Sequence, residues 1–205
     1  MDFLRPFDDS LQKYLSDESK LTGRADWLSL PRTENEILQT LSYTSGKSIP
    51  VTISGGRTGL TGAAVPDGGL LLSLENMNRI LEIGHDAAQD EWFVRVEPGV
   101  TLSELFPCLE KHTPPLFYPP DPTEHSAFIG GTVASNASGA RTFGYGSTRH
   151  YIRQLKVALM NGEVLDITRG RIRADNCNIL TVPLSGHNLS LRIPSYSLPN
   201  VKNTA

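Results

Sequence analysis

The sequence predicts an α+β fold in two lobes, and three observations carry that prediction. Short apolar runs of strand length alternate with fewer, well-capped helical stretches, as expected when strands and helices share one core rather than forming a bundle. The 205 residues are 39% hydrophobic, enough for a core of that size. The 18 glycines gather around 55–69 and 130–146, so backbone freedom is concentrated at two places instead of spread over turns.

Taken in order, Phe3, Leu4, Phe7, Leu11, Tyr14 and Leu15 recur at helical spacing and predict an amphipathic opening helix despite Pro6, making residues 1–32 a helical lead-in. A second helix opens at Thr33-Glu34-Asn35-Glu36, where Thr33 caps the first amides and Glu36 reaches back. Gly46 is expected to close it in a left-handed turn. Pro50–Ser54 reads as a strand running into Gly55 and Gly56, and Gly69–Leu74 as a strand buried on both faces. Ile80–Ile83 and Glu91–Val96 predict two further strands. Thr101-Leu102-Ser103-Glu104 is a second capping box. Five prolines between Thr113 and Pro122 demand an extended loop. Gln154–Met160 and Val164–Ile167 flank Asn161-Gly162, the strongest short hairpin signal in the chain. A last hairpin is expected from Asn178–Pro183 and Leu189–Ile193. The organisation expected is a lead-in over 1–32 and one domain over 33–205, with lobes at about 33–100 and 101–205.

Composition excludes several classes. With 22 acidic and 19 basic residues the net charge is −3, which gives no electrostatic footprint for nucleic acid. Cys108 and Cys177 are far apart and form no Cys-x-x-Cys pair, so zinc has no support, and two free thiols suit a cytoplasmic protein. The start of the chain lacks a secretion signal, and no run approaches the ~20 apolar residues of a membrane span.

The chemistry is expected at the two glycine clusters. Ser54-Gly55-Gly56-Arg57-Thr58-Gly59-Leu60-Thr61-Gly62 follows a buried strand. Left-handed glycines there would turn successive amides toward one point, Ser54, Thr58 and Thr61 add hydroxyls, and Arg57 adds a cation suited to phosphate. A glycine-rich turn with incidental polar residues is the competing reading. Ile129–Ala140 is built almost wholly of Gly, Ala, Ser and Thr, a surface that a flat ligand approaches at backbone distance, with Ser135, Asn136 and Ser138 as polar contacts. A tightly packed small-residue helix explains its alanines, but not its paired glycines or Gly144-Tyr145-Gly146.

These clusters, joined in order by Val96-Glu97-Pro98-Gly99-Val100, Tyr118-Pro119-Pro120-Asp121-Pro122-Thr123 and Tyr145-Gly146-Ser147-Thr148-Arg149, resemble the FAD-binding domain of the vanillyl-alcohol-oxidase (PCMH-type) family. The resemblance is strongest to its D-lactate dehydrogenase and glycolate-oxidase-subunit branch and runs from about Thr33 to Thr168. It implies that Ser54, Gly55, Gly56, Arg57, Thr58, Gly59, Leu60 and Thr61 hold the FAD pyrophosphate. It further implies that Asp121, Thr123, Gly130, Gly131, Ala134, Ser135, Asn136, Gly139 and Gly146 lie along the rest of the cofactor. Covalent members often tether the flavin through a histidine in the first loop. The five histidines here lie at 85, 112, 125, 150 and 187, so the resemblance implies non-covalent FAD.

By the same resemblance the intact enzyme would oxidise a small 2-hydroxy acid and pass electrons to an acceptor the sequence does not name. A further FAD segment and a cap domain would follow Ala205 and carry the catalytic residues, none of which is assigned. Two alternatives stay open: an FAD-dependent sugar or aldonolactone oxidoreductase, and a non-catalytic nucleotide-binding fragment.

Two other motifs are set aside. Gly46-Lys47-Ser48 mimics the tail of a P-loop, but Leu41 stands where the required glycine would be, and a helix end is the simpler reading. Gly144–Arg149 begins like a dinucleotide fingerprint and ends in Arg, with no strand before it. His125 lies between the proline-rich loop and the small-residue run, near the expected flavin or merely exposed; the other histidines show no metal spacing.

Overall fold

A run of Leu70-Leu71-Leu72-Ser73 can be buried along its whole length only if both faces of its sheet are covered, and the computed structural model, which describes residues 3–184 and 186–194, shows how. β1 (Leu4–Pro6), β2 (Trp27–Ser29), β3 (Val51–Ser54) and β4 (Leu70–Ser73) form one sheet in the order β1-β2-β4-β3. β2 and β3 run parallel to β4, and β1 is antiparallel to β2. Side chains alternate along β4. Leu70 and Leu72 pack with Leu41 and Ile37 of α1 (Glu34–Gly46), while Leu71 packs with Leu11 and Tyr14 on the opposite face.

The opening segment is not the α-helix its periodicity suggests. Leu4–Pro6 pairs as β1 and only Asp9–Tyr14 coils, as a 3₁₀ turn capped by Asp8. Pro6 lacks the donor a helix there would need, and the same apolar residues reach the core from a strand and a tight turn. In α1, Thr33 Oγ1 accepts from Glu36 N at 3.3 Å, as expected, but the Glu36 carboxylate accepts from Arg32 N at 2.6 Å. The helix runs through Gly46, and the left-handed residue is Ser48, at φ +52°. Thr40 bridges helix and sheet, 3.1 Å from Ser29 Oγ, while donating to Glu36 O at 2.8 Å.

The second core lies under α2 (Leu102–Glu110). Its capping box is complete: Thr101 Oγ1 accepts from Glu104 N at 3.2 Å and Glu104 Oε2 accepts from Thr101 N at 2.9 Å. Val100, Leu102, Leu105 and Leu109 pack with Ala127 and Ile129 and against the antiparallel pair β5 (Ile80–Asp86) and β6 (Glu91–Val96). The proline-rich stretch that follows forms a loop without helix or strand, as expected. Three short turns come next: α3 (Ile129–Ala134), α4 (Thr142–Tyr145) and a 3₁₀ turn at Thr148–Tyr151. Two antiparallel hairpins complete the described chain, β7 (Gln154–Ala158) with β8 (Val164–Thr168), and β9 (Ile179–Leu184) with β10 (His187–Arg192). Gly162 takes φ +83° in the first of them, as the Asn-Gly signal requires.

Glu97, just before Pro98, is 6% exposed and holds Arg79 through three donors: Arg79 N at 2.9 Å, Nε at 3.1 Å and Nη2 at 2.6 Å. The Arg79 side chain keeps its carboxyl below the usual range, against the opposing effect of burial. A carboxyl depressed in the folded state contributes stability in full above the unfolded value, about 4.3, and loses it as pH falls through the folded value. Denaturant melts across the acid range should therefore show a shallower fall for Glu97→Gln than for the native protein. Truncating the fully buried Leu71 to Ala should lower stability by about 2–5 kcal/mol in the same melts at neutral pH.

Candidate functional site

β3 and β4 end side by side, with Ser54 opposite Ser73, and the first glycine cluster leaves from there. The carboxyl ends of parallel strands are where open sheets receive ligands. Both serines are fully buried; Ser54 Oγ lies 3.5 Å from Arg57 Nη1, and Ser73 Oγ has no hydrogen-bond partner. Beyond Arg57 the loop opens outward: Gly59, Leu60 and Thr61 are exposed.

The glycines serve a purpose the sequence does not reveal. Within Ser54–Gly62 only Gly62, at φ +72°, is a left-handed glycine, and the other left-handed residue is Arg57, at φ +58°. Gly55 and Gly56 are needed for close approach. A Cβ on Gly56 would lie 2.7 Å from Ser126 O and 3.3 Å from the Phe128 ring, and one on Gly55 would touch Phe128 at 3.7 Å. The first loop is thus pressed against the strand-like segment that enters α3.

That segment is itself anchored. Ile129 N donates to Val100 O and Gly130 N to Pro98 O, both at 2.8 Å, and a Cβ on Gly130 would collide with Pro98 at 2.6 Å. In α3, Ile129 and Thr132 face the core and Gly131, Ala134 and Ser135 face outward, so the exposed side carries nothing larger than a hydroxymethyl group. Ser135 Oγ donates to Gly131 O at 2.8 Å. Asn136 is left-handed at φ +48°, and its Oδ1 accepts from Arg149 N at 3.0 Å. Gly139 lies against Asp121, whose carbonyl oxygen would be 1.7 Å from a Cβ there. The Asp121 carboxylate is 3.1 Å from His125 Nε2 and 3.3 Å from Arg141 Nε. Gly146, at φ +85°, lies under the His150 ring. Thr123 is exposed.

The two clusters therefore meet at Phe128, and Asp121 joins the second through Gly139 and Arg141. Several neighbours carried no sequence signal. Phe117 lies 5.8 Å from Tyr145 and under Arg141, at 5.0 Å, and Phe143 is fully exposed beside them. Tyr118 is largely buried, which pushes its hydroxyl up to about 12. His125 packs edge-on to Phe106 at 5.3 Å, so it is tied to the fold as well as exposed. Among the described residues no group of His, Cys, Asp and Glu could hold a metal ion.

Residues 25–168 match the family of FAD binding domains. The chain is a FAD-binding domain of the vanillyl-alcohol-oxidase type. It is 39% identical over 163 residues to a D-lactate dehydrogenase of Anaerostipes hadrus, covering 78% of this chain and 33% of that protein. It is 36% identical over 152 residues to the glycolate oxidase subunit GlcD of Bacillus subtilis (strain 168), covering 73% of this chain and 31% of that protein. The chain thus spans about a third of the length of these curated relatives. Among solved structures, alkyldihydroxyacetonephosphate synthase superposes with a TM-score of 0.70 at 18% identity, over 82% of this chain and 36% of that one, a likeness of fold.

The cofactor of this family fits the residues present. Gly59 and Gly131 have nothing within 4 Å of the position a Cβ would take, so both present bare backbone to the outside. Arg57 supplies the single cation of the first loop. Two glycines of the second cluster should respond oppositely to a methyl group in the cofactor-free protein. Gly139→Ala forces the backbone off Asp121 and should cost about 1–3 kcal/mol. Gly131→Ala meets no obstacle on a helix and should stabilise by about 0.5–1 kcal/mol, both read from thermal melts.

Proposed function

We propose that Ser54, Gly55, Gly56, Arg57, Thr58, Gly59, Leu60 and Thr61 hold the FAD pyrophosphate. The rest of the cofactor would lie along Asp121, Thr123, Gly130, Gly131, Ala134, Ser135, Asn136, Gly139 and Gly146. The observation that carries this is the contact of Gly56 with Ser126 and Phe128, which joins the cation-bearing loop to the segment leading into α3. Arg57 offsets phosphate charge, and the exposed backbone of Gly59 and Gly131 admits the ligand at contact distance. No histidine lies in the first loop, which supports non-covalent binding.

In the whole protein these residues would serve an oxidoreductase acting on a small 2-hydroxy acid. Two relatives with that chemistry in their names, a D-lactate dehydrogenase and a glycolate oxidase subunit, support the substrate class. FAD, when bound, supplies the acceptor for the hydride leaving the carbinol carbon. The chain's own part is to bind, orient and shield: α3 and the 3₁₀ turn at Thr148–Tyr151 form a rigid wall, tied by Asn136 to Arg149 N and by Thr148 Oγ1 to Ala137 O at 2.8 Å. Cys108 and Cys177 are both unpaired, which suits a reducing cytoplasm, and no helix among the described residues is long and apolar enough to cross a membrane.

Purified protein saturated with FAD and freed of excess should keep a protein-perturbed flavin spectrum. Gly59→Ala and Gly131→Ala, which leave the fold intact, should each weaken FAD about tenfold, equivalent to about 1.4 kcal/mol. Unchanged affinity in both would place the cofactor elsewhere. In the full-length enzyme under anaerobic conditions, D-lactate or glycolate should bleach the flavin. Bleaching by an aldose or aldonolactone alone would move the protein to the sugar-oxidising branch.

A further inference from the structure

The segment ahead of the matched FAD-binding region packs along the whole first glycine loop. Glu18 N donates to Arg57 O at 3.1 Å, Arg24 N donates to Pro66 O at 3.0 Å, and the Leu21 side chain lies where a Cβ on Gly62 would reach it at 3.0 Å. The Asp17 carboxylate, 7% exposed, shapes the turn between them by accepting from Ser19 N at 2.9 Å and faces the Ala64 amide. Beneath Arg57 lies Tyr14, 2% exposed, with the guanidinium 5.1 Å from its ring centre. The Tyr14 hydroxyl donates to Glu75 Oε1 at 2.5 Å, and burial together with this bond pushes it up to about 12.

Two of these features, the Glu18 amide and the Tyr14 ring, act on Arg57. Its backbone is held left-handed, a conformation that a long side chain rarely adopts, and the amide of Glu18 holds it there. Its guanidinium lies over an aromatic face that is itself pinned by Glu75, which restricts the rotamers of a side chain otherwise free to sweep the loop mouth.

We propose that Tyr14 and Glu75 are positioning residues for the cofactor's pyrophosphate, acting through Arg57. Residues 14–19 form a strap that sets the loop before FAD arrives. The inference rests on the pyrophosphate reading of Ser54–Thr61 and goes beyond it by assigning binding roles to a segment outside residues 25–168.

The test is a double-mutant cycle on the full-length protein, with FAD affinity read from quenching of flavin fluorescence and stability of the FAD-free form read from melts. Arg57→Ala should weaken FAD by tenfold or more. Tyr14→Leu, which removes the aromatic face, should weaken it about tenfold, and Tyr14→Phe, which keeps the face but frees it from Glu75, about threefold. In the Arg57→Ala background both Tyr14 substitutions should change FAD affinity less than about twofold, because the group they position is gone. Equal effects with and without Arg57, or no effect of either Tyr14 variant on FAD, would overturn the strap. Should Tyr14→Leu fail to fold, the Tyr14→Phe arm decides alone. If Arg57→Ala itself leaves FAD binding unchanged, the pyrophosphate reading falls and the strap with it; loss in Arg57→Ala with additive Tyr14 variants defeats only the strap.

Discussion

Gly56 meets the backbone at Ser126 and Phe128 with no room for a methyl group, and the arrangement of the site depends on that contact. On one side stands a sheet whose central strand is sealed on both faces, which fixes where β3 ends. On the other is the core under α2, whose Pro98 and Val100 carbonyls hold the entry to α3. Neither core alone makes a surface for an extended ligand. Brought within contact at Phe128, they join the cation-bearing loop to the segment that leads into α3.

Elements governed by local chemistry were legible in the sequence. Both helix starts follow from a hydroxyl and a glutamate three residues apart, and the hairpin of β7 and β8 follows from Asn161-Gly162. These signals involve neighbours, so no distant contact could overrule them. The buried strand β4 was legible for a related reason: an uninterrupted apolar run of that length has few other ways to hide.

The misreadings share a cause in tertiary contacts. Apolar spacing at residues 3–15 fits a helix, yet pairing of Leu4–Pro6 with Trp27–Ser29 claims the first residues for the sheet. Gly46 looks like the natural left-handed stop, but the helix keeps it and the left-handed turn falls to Ser48, beyond its end. The first cluster stood out in the sequence by its glycines while their mechanics did not, since its paired glycines make room for Phe128 and the left-handed position falls to an arginine. Tyr14, Glu75 and Phe128 lacked any motif; Tyr14 and Phe128 lie against the first cluster, and Glu75 against Tyr14, only because the fold brings residues separated by tens of positions into contact.

The left-handed backbone at Arg57 sets main chain and side chain at odds. Glycine would relax the peptide and remove the loop's one cation; a β-branched residue would aggravate the conformation and also lose the charge. If Arg57 meets the pyrophosphate as proposed, position 57 gives up folding stability for electrostatic reach. A homologue with glycine there would need its positive charge from a different part of the surface.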